Sequence, residues 1–237
     1  MEKIVHTGSS RGQANFGWLN SKHTFSFGHY HNSERMSFGV LRVLNDDIVI
    51  GGAGFPTHPH SNMEIISIPL SGALAHRDST GTEKVINTGE VQIMSAGSGL
   101  THSEYNASKT EEVNFLQIWI LPREENIKPR YDQKVFNSEE RKNAVQTVVS
   151  PDEAKSLWIN QNAWLSLSDL DAEKSITYTL HGEGNGLYCF VIDGQIEVEG
   201  EVLRKRDAIG ISDTDSAEVM AIADSKLLFI EVPMTYD

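Results

Sequence analysis

The sequence predicts an all-β protein built from two β-barrel units, and three observations carry that expectation. Short runs of alternating apolar and polar residues, rich in β-branched and aromatic side chains, recur along most of the chain. They follow one another at intervals of about 8–12 residues, the spacing of sandwiches and barrels. Gly, Asp, Asn or Ser closes each run, and these are the residues that turn a chain back on itself.

Taken in order, runs 38–44, 64–70, 91–94 and 114–121 supply strands to a first unit. Within it, Ser71-Gly72 and Ser79-Thr80-Gly81 read as turns. The segment 122–151 is richer in charge, Asn and Pro than its flanks and reads as the connection. Two short helices are predicted nearby: 137–144, capped by Asn137 or Ser138, and 151–158, with Pro151 near its first turn. Neither is long enough to organise the fold. Runs 175–180, 187–192, 195–199, 208–211, 217–221 and 227–232 then build a second unit, with Asp193-Gly194 as a turn inside it. The expected division is 1–135 and 136–237. A faint internal echo supports a duplicated barrel, since 66–74 and 189–196 each run a strand into a Gly turn and a second strand.

Composition excludes several classes of function. With 39% apolar and 22% charged residues, the chain has the makeup of a folded protein rather than a disordered one. Lys and Arg number 20 against 33 Asp and Glu, and the net charge of −13 repels phosphate backbones. Direct nucleic-acid binding is therefore not expected. The first twenty residues hold no apolar core of signal-peptide length, and no window approaches the roughly 18 apolar residues of a membrane span. Cys189 is the single cysteine and can form no internal disulfide. A cytoplasmic protein without membrane association is expected.

The distribution of the nine histidines points to chemistry. His58-Pro59-His60 is followed by Glu64, and His102-Ser103-Glu104 comes further on. Side chains at i and i+2 of a strand share a face, so His58 and His60 can reach one point, as can His102 and Glu104. In a small barrel that face is the interior, where two polar pairs are costly unless they bind something. Three neutral imidazoles and a carboxylate suit a divalent first-row metal, and an octahedral ion would keep two positions open for substrate or O₂. Parity does not choose the carboxylate, because residues 60, 62 and 64 would face the same way. Glu64 and Glu104 both stay open at this point.

These residues sit in recognisable surroundings. Gly52, His58-x-His60-x-x-x-Glu64 and Gly72 match the first cupin motif, with one extra residue before the final Gly. Gly97-Ser98-Gly99-Leu100-Thr101-His102-x-x-x-Asn106 resembles the second, with Gly97 where many cupins have Pro. The wider context is similar to the pirin family of bicupins. Thr24-Phe25-Ser26-Phe27-Gly28, Leu41-Arg42-Val43-Leu44-Asn45-Asp46-Asp47, Gly54-Phe55-Pro56-Thr57 and His76-Arg77-Asp78-Ser79 all look like pirin signatures. The resemblance is specific over residues 1–125 and looser afterwards, and it is strongest to bacterial pirin-like quercetin 2,3-dioxygenases.

The resemblance implies two jelly-roll cupin domains, with one mononuclear metal, usually iron as Fe(II), in the first. Pirins take their carboxylate from the His-x-Glu of the second motif, so the implied ligands are His58, His60, His102 and Glu104. Most other cupins would use Glu64, which otherwise would orient a ligand histidine. Aligning Gly194 with Gly72 leaves Leu180, Gly182 and Gly186 near the ligand positions of the second barrel, so that barrel is expected to be metal-free. The implied activity is O₂-dependent ring opening of a flavonol such as quercetin with loss of carbon monoxide. Glu104 or Glu64 would take the 3-hydroxyl proton, and Phe55, Met63, Ile66 and Met94 would wall the pocket. The alternative is a metal-binding sensor or coregulator that acts through a protein partner.

The other candidates have plainer readings. His29-Tyr30-His31 lies in an aromatic, turn-rich stretch and reads as surface or packing. His76 either lines the cavity or is a half-exposed strand residue. His6, His23 and His181 are expected to be structural, Cys189 to pack in a buried strand, and the four tryptophans to serve as core or inter-domain packing.

Overall fold

Alternating burial runs through the strands of the computed structural model, which describes residues 1–152 and 154–236. The strand Leu19–His23 buries residues 19, 21 and 23, and Leu100–Asn106 buries 100, 102, 104 and 106. One face of each is therefore committed to an interior.

Twenty strands form among the described residues. In chain order the first eleven are β1 (Glu2–His6), β2 (Gly12–Asn15), β3 (Leu19–His23), β4 (Leu41–Val49), β5 (Gly54–His60), β6 (Glu64–Ser71), β7 (Ala73–Asp78), β8 (Glu83–Asn87), β9 (Glu90–Ser95), β10 (Leu100–Asn106) and β11 (Val113–Ile120). The rest are β12 (Arg130–Val135), β13 (Gln146–Ser150), β14 (Leu157–Trp158), β15 (Trp164–Leu170), β16 (Ser175–Thr179), β17 (Asn185–Val198), β18 (Glu201–Arg204), β19 (Ala208–Ser212) and β20 (Ser216–Pro233).

A seven-stranded sheet in the order β12-β9-β6-β11-β4-β3-β2 and a four-stranded sheet β5-β10-β7-β8 make the first barrel. The second is one nine-stranded sheet folded on itself around the long strands β17 and β20, which pair along most of their length. Its interior is a closed cluster that includes Tyr178, Cys189, Val191, Val219 and Phe229. A separate cluster joins the barrels, with Leu44, Ile66, Ile118 and Val91 from the first meeting Tyr188, Phe190, Leu228 and Ile230 from the second. The expected all-β, two-barrel architecture is thus realised. Strand β1 is the exception to sequence order: it leaves the first barrel and pairs with β19 of the second, Glu2 opposite Ser212.

Local expectations fare unevenly. Runs 187–192 and 195–199 are one strand, β17, and Asp193-Gly194 is no hairpin turn. There the ladder to β20 slips three times between Val191 and Ile196, and Gly194 takes a positive φ of 94° where a Cβ would run into Ser225. A bulge, not a reversal, uses the glycine. Runs 217–221 and 227–232 likewise fuse into β20. The predicted helix 137–144 contracts to a 3₁₀ turn, Ser138–Arg141, whose cap Asn137 accepts a bond from the Glu139 amide at 3.1 Å. No helix forms at 151–158 among the described residues, and residue 153 lies outside them. The Ser150 and Ser156 hydroxyls instead tie down a turn around Asp152, and β14 pairs in parallel with β13.

Candidate metal centre

The four-stranded sheet of the first barrel sets the site. β10 runs antiparallel between β5 and β7, so His102 stands opposite His58 on one side and Asp78 on the other, and Glu104 stands opposite His76. The alternation of both strands then turns His58, His60, His102 and Glu104 inward. The three imidazole rings converge, with centroids 4.5–4.9 Å apart. His58 Nε2 and His102 Nε2 are 3.0 Å apart. His58 Nδ1 donates to the Pro56 carbonyl at 2.7 Å, which leaves its Nε2 lone pair facing the cluster. His60 Nε2 is buried with no hydrogen-bond partner at all.

That orphaned nitrogen is a test of fit, because a buried polar atom without a partner is costly unless something binds it. One ligating atom from each of His58, His60 and His102 lies within 4.8 Å of the others, and the same holds for His76, His102 and Glu104. His102 belongs to both groups. The donor set, nitrogen with a carboxylate, matches a divalent first-row ion, so a divalent-metal-binding site is present. Both groups lie in the first barrel.

The two carboxylates lie on opposite sides of the large sheet, Glu104 reaching its cavity face from β10 and Glu64 projecting from its other face. Glu104 is buried, accepting from the Ser67 hydroxyl at 3.1 Å and from Gln117 Nε2 at 2.7 Å. Glu64 is fully buried too, yet it accepts from the Ser95 hydroxyl at 2.8 Å and the Asn160 amide at 3.2 Å, and from no imidazole. The expectation that Glu64 shares the parity of His60 is corrected by the backbone. Asn62 takes a left-handed φ of 48° between the two strands, so alternation restarts at β6. Ser67 then faces the cavity, whereas Glu64, Ile66 and Ile68 face the inter-barrel seam. Burial pushes the Glu64 carboxyl up from the usual range.

Burial also holds two of the imidazoles neutral. His60 is lowered to about 4 and His102 to about 3, chiefly by desolvation and then by the neighbouring imidazoles. A low pKa means that protons compete weakly for those lone pairs. Between pH 7.5 and 5.5 the affinity for Ni(II) or Co(II) should therefore fall far less than the roughly thousandfold of three ordinary imidazoles. A calorimetric titration at both pH values checks this, and a full thousandfold fall would contradict it.

The cluster opens onto a cavity of about 620 Å³. Its walls include Trp18, Phe27, Phe55 and Trp119, with His58, His60 and Glu104 at one side. Phe27 meets Trp119 edge-on at 5.3 Å and Trp18 meets Phe55 at 5.2 Å. Of the four walls expected from sequence only Phe55 lines it. Met63 and Met94 pack with Ile65 and Leu100 in a separate cluster, and Ile66 lies in the inter-barrel seam. Trp18 and Phe27 were legible as aromatics but belong to aperiodic segments whose direction no strand pattern fixes. His23, Asn45 and Asp47 also line the cavity.

Asp47 carries a measurable signature. Burial is the main cause that raises its carboxyl from 3.8 to about 7. The folded chain then keeps a proton that the unfolded chain releases near pH 4. The stability this gives is complete below pH 4 and is lost as pH climbs through 7. Asp47→Asn should remove that loss, raising the stability of metal-free protein at pH 8 by roughly 1–3 kcal/mol and changing it little below about pH 4. Melting curves in the two pH ranges check it.

The remaining histidines separate cleanly. His76 is buried, its Nε2 2.9 Å from Asp78 Oδ2 and its ring 4.6 Å from Tyr131, so it lines the barrel interior and is not half-exposed. His29 is exposed at the cavity rim, and neither it nor His31 joins a ligating group. His6 Nδ1 bonds the Tyr188 hydroxyl at 2.8 Å. In the second barrel His181 Nδ1 lies 2.7 Å from Glu231 and stacks on Trp164 at 4.8 Å. Cys189 is buried, its thiol pushed up to about 12 by desolvation.

Comparison with known proteins agrees with this arrangement. The sequence profile of the pirin family matches residues 5–120, and that of the quercetinase C-terminal cupin domain matches residues 147–232. A quercetin 2,3-dioxygenase of Escherichia coli K12 is 40% identical over 226 residues, 95% of this chain and 96% of that protein. A putative quercetin 2,3-dioxygenase of Pseudomonas aeruginosa is 41% identical over 223 residues, 93% of this chain and 95% of the relative. The crystal structure of the bacterial pirin YhhW from E. coli in complex with nickel(II) superposes with a TM-score of 0.92 at 37% identity, covering 98% of this chain and 99% of that one. Among the described residues, no helix is long and apolar enough to cross a membrane. Two cupin barrels, a metal site in the first and relatives matched over nearly their whole length lead to one statement: the chain belongs to the pirin family, as a metal-binding bicupin enzyme related to the quercetin dioxygenases.

Proposed function

We propose that this protein is a cytoplasmic dioxygenase that opens the central ring of a flavonol such as quercetin with O₂. Residues 1–135 form the catalytic unit, His58, His60, His102 and Glu104 hold one iron(II), and residues 136–237 form a C-terminal cupin without metal. The observation that carries the reading is the aromatic-walled cavity of about 620 Å³ that ends on the histidine cluster and Glu104. Such a slot suits a flat ring system. The dioxygenase names of the Escherichia coli and Pseudomonas aeruginosa relatives support the same reaction.

A bound divalent ion supplies Lewis acidity and open coordination positions, which favour the ionised form of a flavonol 3-hydroxyl. The chain does the rest. Trp18, Phe27 and Phe55 grip the ring faces, and Trp119 closes the side beside His60, their rings 5.0 Å apart. Glu104, held by Ser67 and Gln117, accepts the 3-hydroxyl proton. Flavonol and O₂ together give a phenolic ester and carbon monoxide. Carbon 3 departs with its own oxygen, and both atoms of O₂ stay in the ester.

Anaerobically iron-loaded protein should consume O₂ and release CO in a one-to-one ratio when quercetin is added. Turnover no faster than that of free iron, at full metal occupancy, would overturn the dioxygenase reading.

A further inference from the structure

The floor of the metal barrel carries an unusual line of side chains. Following the strand register across the large sheet, His23 stands opposite Asn45, Asn45 opposite Gln117, Gln117 opposite Ser67, Ser67 opposite Gln92, and Gln92 opposite Gln133. Six polar residues on six adjacent strands thus form one unbroken row. The parallel row two residues away, through Val43, Trp119, Ile65, Met94 and Tyr131, is apolar and aromatic. Five members of the polar row are buried, and burying that many polar groups is costly unless each finds a partner.

The centre of the row has its partner, because Ser67 and Gln117 both donate to Glu104. The cavity end does not, and neither does Gln92 on the far side of Ser67, away from the cavity. His23 Nδ1 and Asn45 Oδ1 are buried without any hydrogen-bond partner, and so is Asp47 Oδ1 one alternation along the same face. All three residues line the cavity that holds the histidine cluster. Adjacent strands lie about 4.8 Å apart, so Asn45 and His23 stand roughly 5 and 10 Å from the Gln117 position under Glu104. That is the span of a two-ring aromatic lying across the sheet. Asn45 Oδ1 is an acceptor and calls for a hydroxyl donor, and the Asp47 carboxyl and His23 imidazole beside it can each accept from or donate to a hydroxyl.

We propose that Asn45, His23 and Asp47 form a recognition strip for phenolic hydroxyls at the end of the substrate remote from the metal. The substrate class is then a flat aromatic hydroxylated at two separated ends, one at the metal and one on the strip. This rests on the flavonol reading and narrows it, since a ring system bearing only the metal-facing hydroxyl would leave the strip unpaired. A site built to bond a hydroxyl rejects the analogue that lacks it.

Trp18 and Trp119 line the cavity, so quenching of tryptophan fluorescence reports binding to the full-length, metal-loaded protein without O₂. Two probes suffice: quercetin, hydroxylated at both ends, and 3-hydroxyflavone, which keeps only the 3-hydroxyl. Wild-type protein should bind quercetin at least about tenfold more tightly than 3-hydroxyflavone. Asn45→Leu, close in volume, should bring that ratio near one while leaving 3-hydroxyflavone affinity unchanged. His23→Phe is the second variant should the first fail to fold. Equal binding of the two probes by wild type would overturn the strip alone. An unchanged ratio in the variants would do the same, leaving the row to ordered water. Failure of both probes to bind would instead overturn the flavonol reading itself.

Discussion

Replacement of His102 by alanine is expected to strip the protein of its metal while the barrel stays folded. Its imidazole is the one common to both groups of converging ligand atoms, and its Nε2 lies 3.0 Å from that of His58. His102 Nδ1 has no partner, so truncation breaks no hydrogen bond on that side. The fold should therefore lose little, about 1–3 kcal/mol for the buried volume and ring contacts. Metal retained after dialysis should fall from about one ion per chain to below about 0.1, as expected when a primary ligand is removed. His58→Ala and His60→Ala should behave alike. Elemental analysis with melting curves checks both halves, and a folded His102→Ala protein with full metal would contradict the assignment.

The second large effect separates the two carboxylates. Glu64→Ala should destabilise the fold and leave metal content unchanged, whereas Glu104→Ala should lose metal as well as stability, since it strands the Ser67 and Gln117 donors. Glu64 is fully buried in the seam between barrels, where it takes the Ser95 hydroxyl and the Asn160 amide. Removing it strands both donors away from water and opens a void, at a cost of about 2–4 kcal/mol. Glu104 touches the cavity side, within ligating reach of His76 and His102. Urea midpoints paired with metal analysis read the contrast, and loss of metal from Glu64→Ala alone would reverse the roles of the two carboxylates.

Much of this site is legible in the sequence because strand alternation is a strict rule. His102 and Glu104 fall two apart within β10, whose burial alternates along its whole length, and His58 and His60 fall two apart within β5. The same rule misleads at Glu64, because it holds only within a strand and Asn62 bends the chain between β5 and β6. Turn residues mislead in the second barrel for a related reason. Gly194 offers a positive φ, and only the pairing of β17 with β20 decides that the angle makes a bulge instead of a hairpin. The pairing of β1 with β19 is beyond local pattern altogether, since the partners come from opposite ends of the chain. Cavity walls are the least legible part. Trp18 sits in a bend and Phe27 in an isolated bridge to Tyr30, where nothing periodic tells an aromatic that packs in a core from one that lines a pocket. The cross-sheet polar row also needs the register, which no single strand contains.

The ligand set is tested most directly by anomalous scattering from crystals of protein purified without added metal. A single peak is expected, bonded to nitrogens of His58, His60 and His102 and to a carboxylate oxygen of Glu104. A peak bonded to Glu64, or one at His29 and His31 with the cluster empty, would contradict the assignment.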